Sequence, residues 1–552
     1  MNLLLFLFKQ SPFKMALISI ASLISGLAGA ALVAIIGRAI ASDDARITLA
    51  IAFFGLCLVY IFSKSISEIW LLRLTQKLVL DLRMNLSQSI LHTSQLKLQR
   101  IGKDGLMMIL TKDVDSFGMA FQVLPSTVSS IIVIATCLGY TAWLSPQIFI
   151  IFIITMLLCV GGYLLAEKKP LQQLLVARQR LEGLYSSFRG LVDGSRELKQ
   201  SVHRRDHFIN NVIGDEAVEC SKLYSSCMSR YTWINNVGNI LFYQSIAIVL
   251  FILPLFSGES LQTVVSATLV MLYVVRPISE LMLHMPVLRQ AGISLERIRN
   301  INKELDDPTL PTIAPDPFGG AFQSLFLNHI HFQYKNAYGE SFNVGPIKLS
   351  FDSGTITFIQ GGNGSGKTSL MMVLIGLYEN LRGSIELNGI VLNEHNLAHY
   401  RQKFSVIFAD GHLFRELPVV SSQENIEKAN HYIDRLGLHG KVSINNNTFS
   451  TLDLSMGQKK RLMLVAALVE DRDVYVFDEW AADQDPEFKY IFYKEILPTL
   501  KSQGKTIIAI THDDRYFMCC DYLVKLDAGK LVEIKATSLD HHLDNNEMVL
   551  ST

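Results

Sequence analysis

Five long stretches in the first half of the chain carry no charge. Met15–Gly37 runs 23 residues, Ile47–Ser63 runs 17, Ser116–Ala166 runs 51, Tyr231–Gly258 runs 28 and Ser260–Val275 runs 16. A helix that crosses a bilayer needs about 20 apolar residues. The 51-residue run is too long for one crossing and suits two, folded at Ser145-Pro146-Gln147. The shortest run reaches a full crossing by continuing through Arg276, whose side chain then snorkels or faces water. The pattern predicts six spans, at about 15–37, 47–66, 121–144, 147–166, 233–256 and 261–283. Buried helices of a soluble protein explain one such run but not five in succession. A cleaved signal peptide is the other reading of the first run, with small residues at Ser25-Gly26-Leu27-Ala28. That run is longer than a signal core of about 7–15 residues, and apolar runs follow it where a secreted domain would stand. Residues 1–14, with Lys9 and Lys14, read as an interfacial lead-in.

The polar segments between the runs are unequal. Residues 64–115 hold Lys64, Arg73, Lys77, Arg83, Lys97, Arg100, Lys103 and Lys112, and residues 167–230 hold eleven Lys and Arg. The opposite connections hold few charges, so the bias of positive charge toward the inside puts both termini and both long loops in the cytoplasm. Leu71, Leu74, Leu78, Leu82 and Leu86 recur near a 3.6 period, as do Leu171, Leu174, Leu181 and Leu184. The helices therefore extend beyond the bilayer and turn near Gly102–Gly105 and Gly190–Gly194. Pro308, Pro311, Pro315 and Pro317 mark a stiff linker. The expected division is 1–283 for a six-helix transmembrane domain, 284–318 for a linker and 319–552 for an α/β domain of alternating short strands and helices.

Composition agrees. The chain is 49% hydrophobic and only 18% charged, against about 25% charged for a soluble domain. Lys+Arg and Asp+Glu are both 50, which leaves no global basic field for nucleic acid. The seven Cys form no CxxC, and reduced thiols in a cytoplasm-facing protein are the reading.

The second half carries candidate chemistry. Thr355–Gln360 predicts a strand, followed by Gly361-Gly362-Asn363-Gly364-Ser365-Gly366-Lys367-Thr368 and then Ser369 at the start of an apolar helix. The glycines let successive amides wrap a phosphate, and the helix adds its N-terminal dipole. Lys367 reaches the outer phosphates and Thr368 offers a hydroxyl to Mg2+. About 110 residues on, Val474–Phe477 predicts a buried strand that ends in Asp478 and Glu479. In that context Asp478 is the residue for Mg2+ and Glu479 the general base for the attacking water. Leu454-Ser455-Met456-Gly457-Gln458 opens another apolar helix and offers a second anion site at Ser455, Gly457 and Gln458.

With these motifs the chain resembles the ATP-binding cassette (ABC) transporters over essentially its whole length, as a half-transporter of the exporter type. The resemblance implies ATP and Mg2+ as cofactors and a homodimer. It makes Gly361–Thr368 the Walker A loop, Asp478 and Glu479 the Walker B pair, and Leu454–Gln458 the signature. It makes Tyr334 the aromatic that stacks on adenine, with an ordinary strand aromatic as the alternative, Asp485 the D-loop aspartate and His512 the switch histidine. Several features depart from the family: Asn445-Asn446-Asn447-Thr448 stands where an acidic motif often precedes the signature, and Ala409 stands where a glutamine belongs, so Asp410 or a water is expected to complete the Mg2+ site, unless Asp410 only caps a turn before Gly411. The wording of the motifs, in the stretches Phe477–Pro486 and Leu454–Arg461, looks like the bacterial branch that exports cyclic peptides, peptide antibiotics and siderophore precursors. The implied function is ATP-driven export of a small peptide-like compound from the cytoplasm, across the bacterial cytoplasmic (inner) membrane and in contact with its lipids. A lipid or drug exporter of the same architecture, or an ATP-gated membrane regulator, are the alternatives. The presence of Glu479 and the short tail after Leu526 favour the exporter. Asn235, Asn239 and Tyr243 share one face of span five, either for peptide groups or for bonds between helices.

Overall fold

The computed structural model describes residues 12–41, 46–256, 260–305, 316–335, 341–379, 381–419 and 422–537. Residues 1–11 of the lead-in and residues 306–315 of the expected linker lie outside the described residues. The chain divides into two compact units, Met1–Thr93 with Lys97–Pro308, and Ser94–Leu96 with Thr309–Thr552.

The first unit is helical. Its principal helices are α1 (Pro12–Ala41), α2 (Arg46–His92), α3 (Val114–Leu144), α4 (Pro146–Ala166), α5 (Lys168–Asp193), α6 (Gly214–Ala247) and α7 (Leu261–Glu304). Six helical stretches among the described residues are long and apolar enough to cross a membrane: Ala16–Ala39, Ile47–His92, Lys103–Leu144, Pro146–Asp193, Val202–Leu255 and Gln262–Lys303. The 51-residue apolar run breaks where expected. Ser145 is extended, its hydroxyl accepts from the Ile148 amide, and Pro146 opens α4 in the one helical turn that needs no donor.

The leucine repeat of α2 does face inward. Leu71, Leu74 and Leu78 pack with Phe117 and Phe121 of α3 and Leu295 of α7. The first excursion bends at Gly102, whose φ of +78° favours glycine, between short helices Gln95–Ile101 and Lys103–Met108. The second bends at Gly194 and at Ser201, whose hydroxyl caps Val202–His207. Helix α7 runs through Pro277 and Pro286 and continues past residue 283 to Glu304. Asp113, at the end of a π-helical turn, is 0% exposed and pairs with Arg178 of α5 and Arg297 of α7.

The second unit contains strands β1 (Ser324–Lys335), β2 (Ser341–Asp352), β3 (Ile356–Gln360), β4 (Arg382–Leu387), β5 (Ile390–Val391), β6 (Phe404–Ile407), β7 (Ile444–Asn445), β8 (Thr448–Phe449), β9 (Val474–Asp478), β10 (Thr506–Ile510), β11 (Tyr522–Asp527) and β12 (Lys530–Ala536). One sheet runs β2-β1-β4-β5 and is antiparallel, and the other runs β12-β11-β3-β10-β9-β6. From β11 to β6 every neighbour is parallel. The central strands β3, β9 and β10 are apolar and buried, as a parallel sheet covered on both faces requires. Ile510 is in register with both Ile359 and Asp478, so β3, β10 and β9 end level. That edge, at the carboxyl ends of parallel strands, is where open α/β sheets bind ligands.

Candidate nucleotide site

The glycine loop leaves β3 and enters α8 (Lys367–Leu374). Gly366 caps α8 at φ +93°, a left-handed conformation that a side chain would strain. A Cβ on Gly361 would lie 2.3 Å from the Leu526 carbonyl oxygen and 2.5 Å from Ser365 Oγ, so only glycine fits there. Lys367 is buried and its Nζ donates to the carbonyls of Gly361 (2.8 Å) and Gly362 (3.0 Å). The ammonium is folded back over the loop that it serves. Gly362, Asn363, Gly364 and Thr368 are exposed, Ser365 is buried with its hydroxyl unpartnered, and Ser369 is half-buried. A loop of open amides with one central cation is an anion cradle.

Asp478 ends β9, buried, and accepts a hydrogen bond from the Ala409 backbone amide. Burial, then the charges of Glu479 and Asp410, push its carboxyl up to about 6, against the pull of the Ala409 amide and Lys367. Such a carboxylate gains from a cation placed beside it. Among the described residues no three His, Cys, Asp or Glu gather as a metal cage. The donor set, Asp478 with the Thr368 hydroxyl and exposed Asp410, fits Mg2+, which takes one or two protein ligands and fills the rest with phosphate oxygens and water. The 408–411 segment is a turn closed by the Gly411 amide on the Phe408 carbonyl (3.2 Å).

Glu479 follows in a left-handed conformation, φ 48° and ψ 34°, rare for a residue with a Cβ. Two bonds hold it there. Its amide donates to the Ile510 carbonyl (3.1 Å), and the next residue, Trp480, is buried and donates its indole N–H to the Lys460 carbonyl (2.7 Å). The turn aims the carboxylate at His512, whose Nε2 lies 3.0 Å from Glu479 Oε1. His512 is placed by β10, and its neighbour Asp513 is clamped by Lys489 (2.7 Å) and Arg515 (3.2 Å). Sequence reading named Glu479 and His512 separately, and the fold brings them together.

Ser455 stands exposed at the start of α9 (Met456–Glu470) in a reciprocal cap: its hydroxyl accepts from the Gln458 amide, and the Gln458 side chain accepts from the Ser455 amide. Gly457 packs against the Asp483 carbonyl, and Gln484 Nε2 donates to the Gly457 carbonyl (3.1 Å). Lys460 bonds Asp483 (2.8 Å). Asp485, exposed, takes the N-cap position of Pro486–Tyr490. Tyr334 lies on β1 opposite Phe342 in register, and only its backbone is described. Lys460, Trp480 and Gln484 were not singled out from sequence. They carry no spacing signal, because their partners come from segments about twenty residues apart.

The fold and the site together define an ATP-binding cassette joined to a six-helix membrane unit. Residues 344–482 match the family model for ABC transporters. The chain is 32% identical over 537 residues, 95% of both chains, to ATP-binding protein SyrD of Pseudomonas syringae pv. syringae. It is 34% identical over 190 residues, 32% of this chain and 68% of the relative, to energy-coupling factor transporter ATP-binding protein EcfA of Carboxydothermus hydrogenoformans. A bacterial Atm1-family ABC exporter solved with ATP bound has the same fold, with a TM-score of 0.73 at 16% identity over 96% of this chain and 95% of that one. The chain belongs to the ABC transporter family. It is a multi-pass membrane protein of half-transporter architecture whose ATPase domain is coupled to transport.

Proposed function

We propose that two copies of this chain form a homodimeric pump that moves a small peptide-like compound out of the cytoplasm, across the bacterial inner membrane, at the expense of ATP. In this reading residues 1–283 form the transmembrane domain and 319–552 the cytoplasmic ATPase domain, while α7 carries the first part of the expected linker, 284–318, on to Glu304 as helix. The loop Gly361–Thr368 with Ser369 holds the phosphates, Lys367 leaves its own carbonyls for the γ-phosphate, and Tyr334 stacks on the adenine. Thr368 and Asp478 hold Mg2+, with Asp410 beside them, and the metal supplies charge neutralisation at the phosphates. Ser455, Gly457 and Gln458 of the partner close the site with their helix N-terminus, and Asp485 faces the partner in the D-loop position. Glu479 takes the proton of the attacking water while His512 holds its carboxylate in line.

One observation carries the ATPase reading: the 3.0 Å bond between His512 and Glu479 at the level ends of β9 and β10. The peptide class is supported by the motif wording and by the amide face of α6, although Asn239 spends its oxygen on Ser279 of α7 (2.6 Å). Glu479→Gln keeps the size and a hydrogen-bonding group but removes the base. In the reconstituted protein it is expected to lower ATP turnover about 100-fold or more while nucleotide binding survives. Turnover close to that of the parent would remove Glu479 from this role. A panel of peptides, siderophore precursors and lipids tested for stimulation of the parent's ATPase decides the substrate class.

A further inference from the structure

Helix α7 presents an open stripe within its membrane span, through exposed Leu272, Arg276 and Leu283 with half-buried Glu280 between them. The Arg276 side chain is 85% exposed. It lies 15 residues into the helix, about 22 Å along an axis that must cross a hydrocarbon core of about 30 Å. A guanidinium at that depth is costly against lipid and is kept where it meets water or a partner group. Its surroundings are polar. Arg276 Nε donates to Glu280 Oε1 (3.1 Å), and Ser130 of α3 donates to Glu280 Oε2 (3.2 Å). One turn further in, Thr127 Oγ1 is 3.0 Å from His284 Nδ1. This polar row joins α7 to α3.

We infer that this row is a substrate site, in which the outer edge of the Arg276 guanidinium receives a carboxylate of the transported compound. Glu280, anchored by Ser130, holds Nε and fixes the plane of the guanidinium. The terminal nitrogens then present the paired donors that match a carboxylate. Lysine in that place would keep the charge and lose the fork. The inference rests on the proposed export of peptide-like compounds and narrows it to compounds with a free carboxylate.

The test uses the full-length protein in liposomes, with Cys57, Cys220 and Cys519 changed to serine and Leu272→Cys as a reporter one turn from Arg276. Modification rates are measured with an anionic and a cationic methanethiosulfonate. Arg276→Gln is expected to lower the anionic-to-cationic rate ratio about fivefold, from two unit charges acting across roughly 8 Å of water, and Arg276→Lys to preserve it. A reporter unreactive toward both reagents, or a ratio that ignores Arg276, overturns the inference. In a second arm, linear tetrapeptides with free and amidated C-termini are compared as ATPase stimulants. Preference for the free acid is expected in the parent and lost in both Arg276→Gln and Arg276→Lys. A preference unchanged by either substitution overturns the carboxylate assignment. If no peptide stimulates the parent, the peptide reading of function falls, while the reagent ratio still decides whether the row receives anions.

Discussion

A carboxyl group as enclosed as that of Asp478 titrates near pH 6, where an ordinary aspartate loses its proton near 3.8. Because the folded value lies above the unfolded one, the group's contribution to stability is full below about pH 4 and is lost as pH rises through about 6. In protein free of nucleotide and metal, Asp478→Asn is therefore expected to be more stable than the parent at pH 8, by at most about 3 kcal/mol, with the gap closing toward pH 5. Thermal unfolding at a series of pH values checks this, and a gap independent of pH would mean that Asp478 is not the strained group. Asp410 follows Ala409, the residue in the glutamine's place. Asp410→Ala is expected to weaken Mg2+ dependence or substrate stimulation of the ATPase, and Ala409→Ser to change little, since Ala409 acts through its amide on Asp478. Parent behaviour of Asp410→Ala at every Mg2+ level would leave Asp410 as a turn residue only. The phosphate loop and the Asp-Glu pair were legible because their chemistry is local: consecutive amides, or a strand tip. The left-handed turn at Glu479 was not, because it depends on Trp480 reaching a carbonyl on another helix.

Helices were legible wherever the membrane or a cap imposes a period or an end. The hairpin at Ser145-Pro146 is such a case, since Pro146 can only open a helix there and Ser145 caps it. The passage of α7 through Pro277 and Pro286 was less legible, because a proline inside a helical pattern ordinarily ends or kinks the helix. The buried tie at Asp113 was invisible in sequence, since its partners lie on α5 and α7. Arg178 also donates to Ser294 Oγ of α7 (2.8 Å), so one carboxylate and one guanidinium bind three helical elements together. Asp113→Ala leaves two largely buried cations without their counter-ion and is expected to cost about 3–5 kcal/mol. Asp113→Asn should cost less, because it keeps an acceptor. Denaturant unfolding in detergent measures both, and an Ala variant as stable as the parent would show that the tie holds nothing.

On the scale of the whole molecule, the ATPase unit presents the two parts of its proposed site as separate features: a phosphate loop at the end of β3 and a capped, exposed Ser455 at the start of α9. If each site is built from two chains, Lys367→Ala and Ser455→Arg chains, each inactive alone, should recover ATPase activity when co-assembled. One of the two sites in a mixed dimer is then intact, and about a quarter of parent activity is expected from random pairing with independent sites. No recovery in purified mixed dimers would defeat the shared-site reading. The open position of Ser455 also has a genetic consequence. An inactive chain does not merely fail, because it occupies a working partner. If the chain works as a homodimer, a Lys367→Ala copy expressed at equal level beside the native chain would leave about a quarter of the assemblies with both sites whole and about half with one, so loss of export would behave as a dominant trait if transport needs both sites of one assembly and as a recessive one if a single site suffices.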